Sequence, residues 1–151
     1  QLSETFSTIL SSFEFPNLYE AYIDTKSYLP YVRGRKYSDL GSLGAVTLIT
    51  MAYYLSIMIC SKVQTGNHLG LLMIDTPRKN LGASSTSTEF RDEKIYESII
   101  NYFLQLGKEC KNDFQLIVVN NGYPSDFSLD YIVKEFSSDG HDGLIDDYGR
   151  V

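Results

Sequence analysis

Gly70-Leu71-Leu72-Met73-Ile74-Asp75-Thr76-Pro77 is the stretch on which the fold turns. Apolar residues run without alternation into a carboxylate, and a turn signal follows at Thr76-Pro77. Such a run predicts a parallel strand buried on both faces, since a half-solvated strand would alternate apolar with polar. A second run of the same kind, Phe114-Gln115-Leu116-Ile117-Val118-Val119, ends at Asn120-Asn121-Gly122. Between the two, 91–110 spaces Tyr96, Ile99, Ile100, Phe103 and Leu104 for one face of an amphipathic helix. Strand, helix, strand in this order predicts an α/β layer with parallel pairing.

Upstream, 45–62 reads as a long apolar helix. Its most apolar part, Val46 to Cys60, is interrupted by Thr47, Thr50 and Ser56. It falls short of the roughly 20 residues of a membrane span, so a buried helix is expected and no membrane association. The loop Ser38-Asp39-Leu40-Gly41-Ser42-Leu43-Gly44 leads into it, with Ser38, Asp39 and Ser42 as N-cap candidates. Residues 15–37 are rich in Tyr, Val and Ile, with turn signals at Pro16-Asn17, Pro30 and Gly34, and read as short strands. Residues 1–13 place Leu2, Phe6, Ile9, Leu10 and Phe13 on one helical face. Tyr131 to Phe136 reads as a last, edge-like strand, and the Gly- and Asp-rich segment from Ser137 as loop or tail.

Composition bounds the function. Of 151 residues, 43% are hydrophobic and 21% charged, which suits one compact domain or one lobe of a larger one. With 13 Lys+Arg against 19 Asp+Glu the net charge is -6, which excludes a chain-wide basic nucleic-acid footprint. Arg33, Arg35 and Lys36 form the one dense basic cluster, either a solvated turn or a local patch. Cys60 and Cys110 are too few for a disulfide scaffold or an all-cysteine zinc site, so a reduced, cytoplasmic protein is expected. No basic region followed by an apolar leader opens the chain at Gln1. His68 and His141 are not spaced with the cysteines as zinc ligands. Asp139, Asp142, Asp146 and Asp147 lack the regular calcium-loop spacing, and no G-x-S-x-G elbow occurs.

Three features carry the chemistry. Gly41 to Gly44 lies at a helix start, where backbone N–H groups and the helix dipole favour phosphate and the Ser42 hydroxyl adds a donor. Asp75, at a strand end, reads either as a turn residue or as the carboxylate that holds the water shell of Mg²⁺ in P-loop enzymes. Asn120-Asn121 reads either as an Asn-Gly turn with Gly122 or as a polar pair reaching a γ-phosphate or an attacking water.

Taken in order, these segments resemble the C-terminal half of an ABC-type ATPase head of the SMC and RecF-like branch. The resemblance covers about residues 28–136. On it, Gly41-Ser42-Leu43-Gly44-Ala45 stands at the signature motif and Val46 to Ile59 at the signature helix. Residues 70–77, ending Ile74-Asp75-Thr76-Pro77, stand at Walker B. Arg78-Lys79-Asn80-Leu81-Gly82 stands at the D-loop, and Asn120-Asn121 at the switch. The implied fold is α/β, the C-terminal half of a P-loop ABC-type head, a mostly parallel sheet flanked by helices. Residues 14–151 form the lobe, and 1–13 are the end of a returning coiled-coil helix. The implied cofactors are ATP and Mg²⁺. Nucleotide contacts fall at Gly41, Ser42, Leu43, Gly44, Asn80 and Asn120, and catalytic positions at Asp75, Thr76 and Asn121, with Asp75 the metal residue. The implied partners are an N-terminal lobe of the same protein, a second head in a homodimer, and DNA bound by the full assembly. The implied roles are DNA repair, chromosome maintenance or defence against phage and plasmids.

The chain departs from this pattern in instructive ways. It contains no G-x-x-x-x-G-K-S/T. In SMC-type proteins that loop lies in an N-terminal lobe beyond the coiled coil, so the chain is expected to be inactive alone. Thr76 stands where the family has its Glu base, and loss of a general base lowers a rate by roughly 10²–10⁴. Asn121 stands where the family has a switch His, and Gly82 where an Asp closes the D-loop. The same departures fit a non-enzymatic α/β module that binds a protein partner without ATP turnover. A flavodoxin-like small-ligand domain is a third reading.

Overall fold

The computed structural model describes residues 1–63, 67–78, 81, 93–110 and 113–136. The fold is mixed α/β, with three long helices, a small antiparallel meander and a two-stranded parallel sheet among the described residues. Helix α1 (Leu2–Ser12) turns Phe6, Ile9 and Leu10 inward, as its spacing predicts. Strands β1 (Tyr22–Ile23), β2 (Pro30–Val32) and β3 (Arg35–Lys36) follow as an antiparallel meander. Its second hairpin turns at Arg33 and Gly34, with φ of 58° and 69°. Two consecutive left-handed residues make the primed turn that matches strand twist, and glycine holds the second place without a Cβ penalty. Ser3 of α1 ties the meander down, its hydroxyl accepting from the Ile23 N–H at 3.0 Å.

Helix α2 (Leu43–Val63) is the central element, with Leu48, Ile49, Ala52, Leu55 and Met58 fully buried. Two of the three hydroxyls that interrupt its apolar run bond to their own helix: Thr47 donates to the Leu43 carbonyl at 2.8 Å and Ser56 to the Tyr53 carbonyl at 2.7 Å. Buried Ser56 therefore carries no unmet donor. The expectation that this run is too short to span a membrane is corrected. Leu43–Lys62, 20 residues with mean hydropathy 1.9, is long and apolar enough by length and composition. Within this fold half of that stretch is covered by protein, and α2 serves as the core helix against α1 and β4.

Strand β4 (Leu71–Asp75), helix α3 (Glu93–Glu109) and strand β5 (Gln115–Val119) follow in the expected order. β4 and β5 pair in parallel, with Leu72 opposite Leu116, Ile74 opposite Val118 and Asp75 opposite Val119. Leu72, Ile74, Leu116 and Val118 face the core shared by all three helices. The expectation that these strands are buried on both faces fails. Leu71, Met73 and Val119 are 43%, 64% and 49% exposed. The helices cover one face of this two-stranded sheet, and the alternate side chains of the other face look outward. The expected edge strand at 131–136 does not form. Leu129–Tyr131 is a 3-10 turn, and the backbone after it runs without a strand partner, Val133 being 99% exposed. A strand needs a ladder, and β-rich composition alone does not supply one. The tail from Ser137, with His141 and its aspartates, lies outside the described residues.

The junction of α1 with α3 is aromatic. The Phe13 ring meets Tyr102 edge-on at 5.6 Å and Phe103 at 6.2 Å. Burial, with the negative charge of Glu109 and Cys110 adding to it, pushes the Tyr102 phenol up to about 12 from 10.0. Below pH 10 the phenol is neutral in both folded and unfolded chains, and nothing changes. Between pH 10 and 12 the unfolded chain ionises and the folded chain does not, so stability falls as pH rises. Urea melts across that window should show the loss, and Tyr102→Phe should make it shallower.

Candidate functional site

The ends of β4 and β5, the first turns of α2 and the N-terminal half of α3 meet at one end of the sheet. Helix α2 starts where the loop reverses at Gly41, whose φ is 69°. The Ser42 carbonyl accepts the Val46 N–H at 3.0 Å, and its hydroxyl lies 3.4 Å from the Ala45 N–H, as an N-cap does. Ser42 is half-buried and Leu43 is exposed, whereas Gly44 is buried in the first turn. Val46 and Thr47, one turn on, line a groove of about 360 Å³ together with Thr50, Met51 and Tyr54, and its other wall is Leu72 to Pro77. The first turns of α2, which the 41–44 loop leads into, and Asp75 thus line the same groove. Tyr54 is 53% exposed on its rim. Tyr53 beside it packs and donates to the Tyr28 carbonyl at 2.7 Å.

Asp75 is exposed at the tip of β4. Its Oδ1 accepts the Thr76 hydroxyl at 2.7 Å. The Thr76 N–H donates to the Val119 carbonyl at 2.7 Å, which extends the parallel ladder past the strand. Thr76 does this in a left-handed conformation, φ 53°, which a β-branched side chain rarely adopts. A carboxylate is a hard oxygen donor of the kind Mg²⁺ takes. Asp75 stands alone in this respect, since no group of three His, Cys, Asp or Glu residues among the described residues can hold a metal.

Beside it, the polar pair after β5 divides. Asn120 turns toward α3, where its amide donates to the Tyr96 hydroxyl and, at 2.7 Å, to the Gly122 carbonyl. Its Oδ1 is buried without a partner. Asn121 is exposed at the bend, and Gly122 follows with φ 93°. The turn reading describes the backbone here: the turn delivers Asn120 inward, onto Tyr96 and Gly122 and not outward as the polar-pair reading expected, and leaves Asn121 exposed.

Sequence reasoning missed the third member, Tyr96, which it placed only on the apolar face of α3. Tyr96 is 2% exposed, and its hydroxyl donates to the Gly122 carbonyl at 3.1 Å. Burial raises its phenol, and the Arg78 guanidinium, 5.1 Å over the ring, works against that rise. Arg78 also pairs with Glu93. This arginine is a clamp between the post-β4 segment and α3. No spacing rule links Arg78 to Tyr96 or Tyr96 to Asn120, so no sequence signal was available for the cluster. Of the D-loop candidates, Leu81 is buried at 1% exposure, and Lys79, Asn80 and Gly82 lie outside the described residues.

The basic cluster is also partly structural. Arg33 donates to the carbonyls of Pro16 and Asn17 and lies 5.4 Å over the Phe15 ring. Arg35 is exposed and Lys36 half-buried. His68 is exposed and accepts the Gly70 N–H at 3.0 Å. Cys60 and Cys110 are free thiols.

No protein-family model matches the chain, and no curated protein matches it.

Proposed function

We propose that this chain is the C-terminal lobe of an ABC-type ATPase head of the SMC and RecF-like branch, acting by ATP-dependent dimerisation of two heads on DNA. The observation that carries the reading is the convergence at one end of a parallel sheet. The helix that the Gly/Ser loop leads into and the carboxylate at the tip of β4 line one groove, and the polar pair follows directly after the paired tip of β5. Open α/β sheets bind ligands at the carboxyl ends of their strands. The uncovered face bearing Leu71, Met73 and Val119 supports a lobe completed by further structure, because parallel strands are normally covered on both faces.

In this reading the Ser42 hydroxyl and the first N–H groups of α2, at Leu43 and Gly44, face the γ-phosphate of ATP bound on the partner head. Asp75 holds the water shell of Mg²⁺, and Asn121, on the outer side of the bend, lies toward the phosphate. Mg²⁺, when bound, supplies charge neutralisation between the phosphates. Thr76 cannot act as a base near neutral pH, so turnover is slow. The open sheet face equally favours the second reading, a module that binds a protein partner without turnover.

Light scattering of the full-length protein with and without ATP and Mg²⁺ separates the two. The expected result is a monomer-to-dimer shift on ATP, abolished by Ser42→Arg, whose bulk and length fill the space above the start of α2. Absence of the shift in the unmodified protein, with tight capture of a protein partner through the Leu71 and Met73 face, would move the function to the second reading.

A further inference from the structure

The outer face of the meander carries an aromatic row that the core does not use. Register sets Tyr22 of β1 opposite Tyr31 of β2, and Tyr31 opposite Lys36 of β3. The three side chains therefore share one face, while Ile23 and Val32 on the other are buried in the core. The Tyr22 and Tyr31 rings stack with centroids 5.4 Å apart and planes 10° from parallel. Tyr22 is on an edge strand and exposed, and among the described residues no further ring stacks on it. Tyr19 and Tyr28, on the segments either side of β1, are also exposed.

Charge on this stretch runs against that of the chain. Residues 19–36 hold four cations, Lys26, Arg33, Arg35 and Lys36, against two carboxylates, Glu20 and Asp24, where the whole chain has a net charge of -6. The Asp24 carboxylate is taken up by the Ser27 N–H and hydroxyl, both at 2.7 Å, and Glu20 lies over the Gly34 turn. Arg33 is held by backbone carbonyls. Arg35 and Lys36 enter no ion pair among the described residues, so their charges are available beside the stacked rings.

We propose that this face docks single-stranded nucleic acid, with a base stacked on the outer side of Tyr22 and phosphates of the same strand on Lys36 and Arg35. An exposed ring accepts any base by its π-face, and nearby cations track the phosphate backbone. β1 and β3 are two strand spacings apart, roughly 10 Å, so a strand crossing the row meets both the ring and the cations. A duplex keeps its base faces inside the stack, whereas unstacked bases of a single strand are free to meet an aromatic side chain. An acidic protein would use Arg35 and Lys36 and leave the bare ring without a role. The surface shares no residue with the groove between α2 and β4, and it stands whether or not ATP binds there.

The test is fluorescence anisotropy of a labelled oligo-dT of about 20 nucleotides, longer than one such site covers, on the full-length protein without ATP. A duplex of equal length is the comparison, and thermal melts accompany every variant. Binding is expected to be tighter for oligo-dT than for the duplex. Tyr22→Leu, which keeps apolar bulk and removes the ring, is expected to weaken it about tenfold, within the range for one stacked base. Tyr22→Phe, which keeps the ring, should bind as the parent does. Lys36→Gln should flatten the salt dependence by about 0.7 in log–log slope, the share of one phosphate on a single strand. No binding of oligo-dT at about 50 mM salt would overturn the proposal. So would affinity unchanged in both Tyr22→Leu and Lys36→Gln. Poly-glutamate displacing the label as well as unlabelled oligo-dT does would overturn it in favour of an acidic protein partner. Each of these leaves ATP-dependent dimerisation to its own experiment.

Discussion

Phe13→Ala is expected to destabilise the fold by about 3–5 kcal/mol, the range for deleting a fully buried phenylalanine ring. Phe13 is 0% exposed and sits just past the end of α1. Its ring meets Tyr102 and Phe103 of α3 edge-on, at interplanar angles of 87° and 85°. Truncation removes the transfer energy of the ring, both edge-to-face contacts and the filler of the space between two helices. Neither helix can close that space without moving against α2. Domains are stable by only about 5–15 kcal/mol, so the loss is a large fraction of the whole. Urea unfolding should show a lower midpoint at unchanged slope. Leu69→Ala is the control: at 95% exposure it is expected to shift stability by less than about 0.5 kcal/mol. An effect of Phe13→Ala as small as that of Leu69→Ala would mean that α1 is not docked on α3 in solution.

The second large effect is the reverse case, with activity lost and stability kept. On the proposed nucleotide reading, Asp75→Ala in the full-length protein is expected to lower ATP turnover by about 10²–10³-fold, the scale of removing one electrostatic stabiliser from a phosphoryl-transfer site. The side chain is exposed at the strand tip. Among the described residues its carboxylate bonds to the Thr76 hydroxyl alone, and that hydroxyl can turn to water. The strand pairing at this position is made by backbone, not by the carboxylate. The urea midpoint should therefore stay within the error of the parent while phosphate release falls. Turnover that survives Asp75→Ala would remove Asp75 from the site and return it to an ordinary turn. Turnover and stability falling together would assign it to the fold.

The elements were largely legible. The unbroken apolar runs before Asp75 and Asn120 became β4 and β5 because such runs have few other stable uses between turn signals. The 3.6 spacing of Tyr96, Ile99, Ile100 and Phe103 became the buried face of α3. Where the reading failed, a partner was missing or unseen. Residues 131–136 have strand composition and no neighbouring strand to pair with, so they stay irregular. Leu71 and Met73 are apolar yet exposed, because composition records what a strand prefers against its face and not whether anything lies there. The span estimate for α2 failed for a different reason. Its Thr and Ser residues were read as breaks, yet Thr47 and Ser56 bond to carbonyls of their own helix and prolong the apolar cylinder.

The sequence by itself determined the order of helices and strands, the parallel pairing and the placement of Ser42, Asp75 and Asn120 at element ends. These follow from local periodicity and from chain connectivity, which one chain carries in full. Only the tertiary structure decided which of the adjacent asparagines turns inward, that Arg78 clamps Glu93 and Tyr96, and that Thr76 folds back onto Asp75 in a left-handed conformation. Those outcomes depend on packing between residues up to 43 positions apart, such as Thr76 and Val119. There the energy of a contact, and not the preference of a residue, sets the geometry.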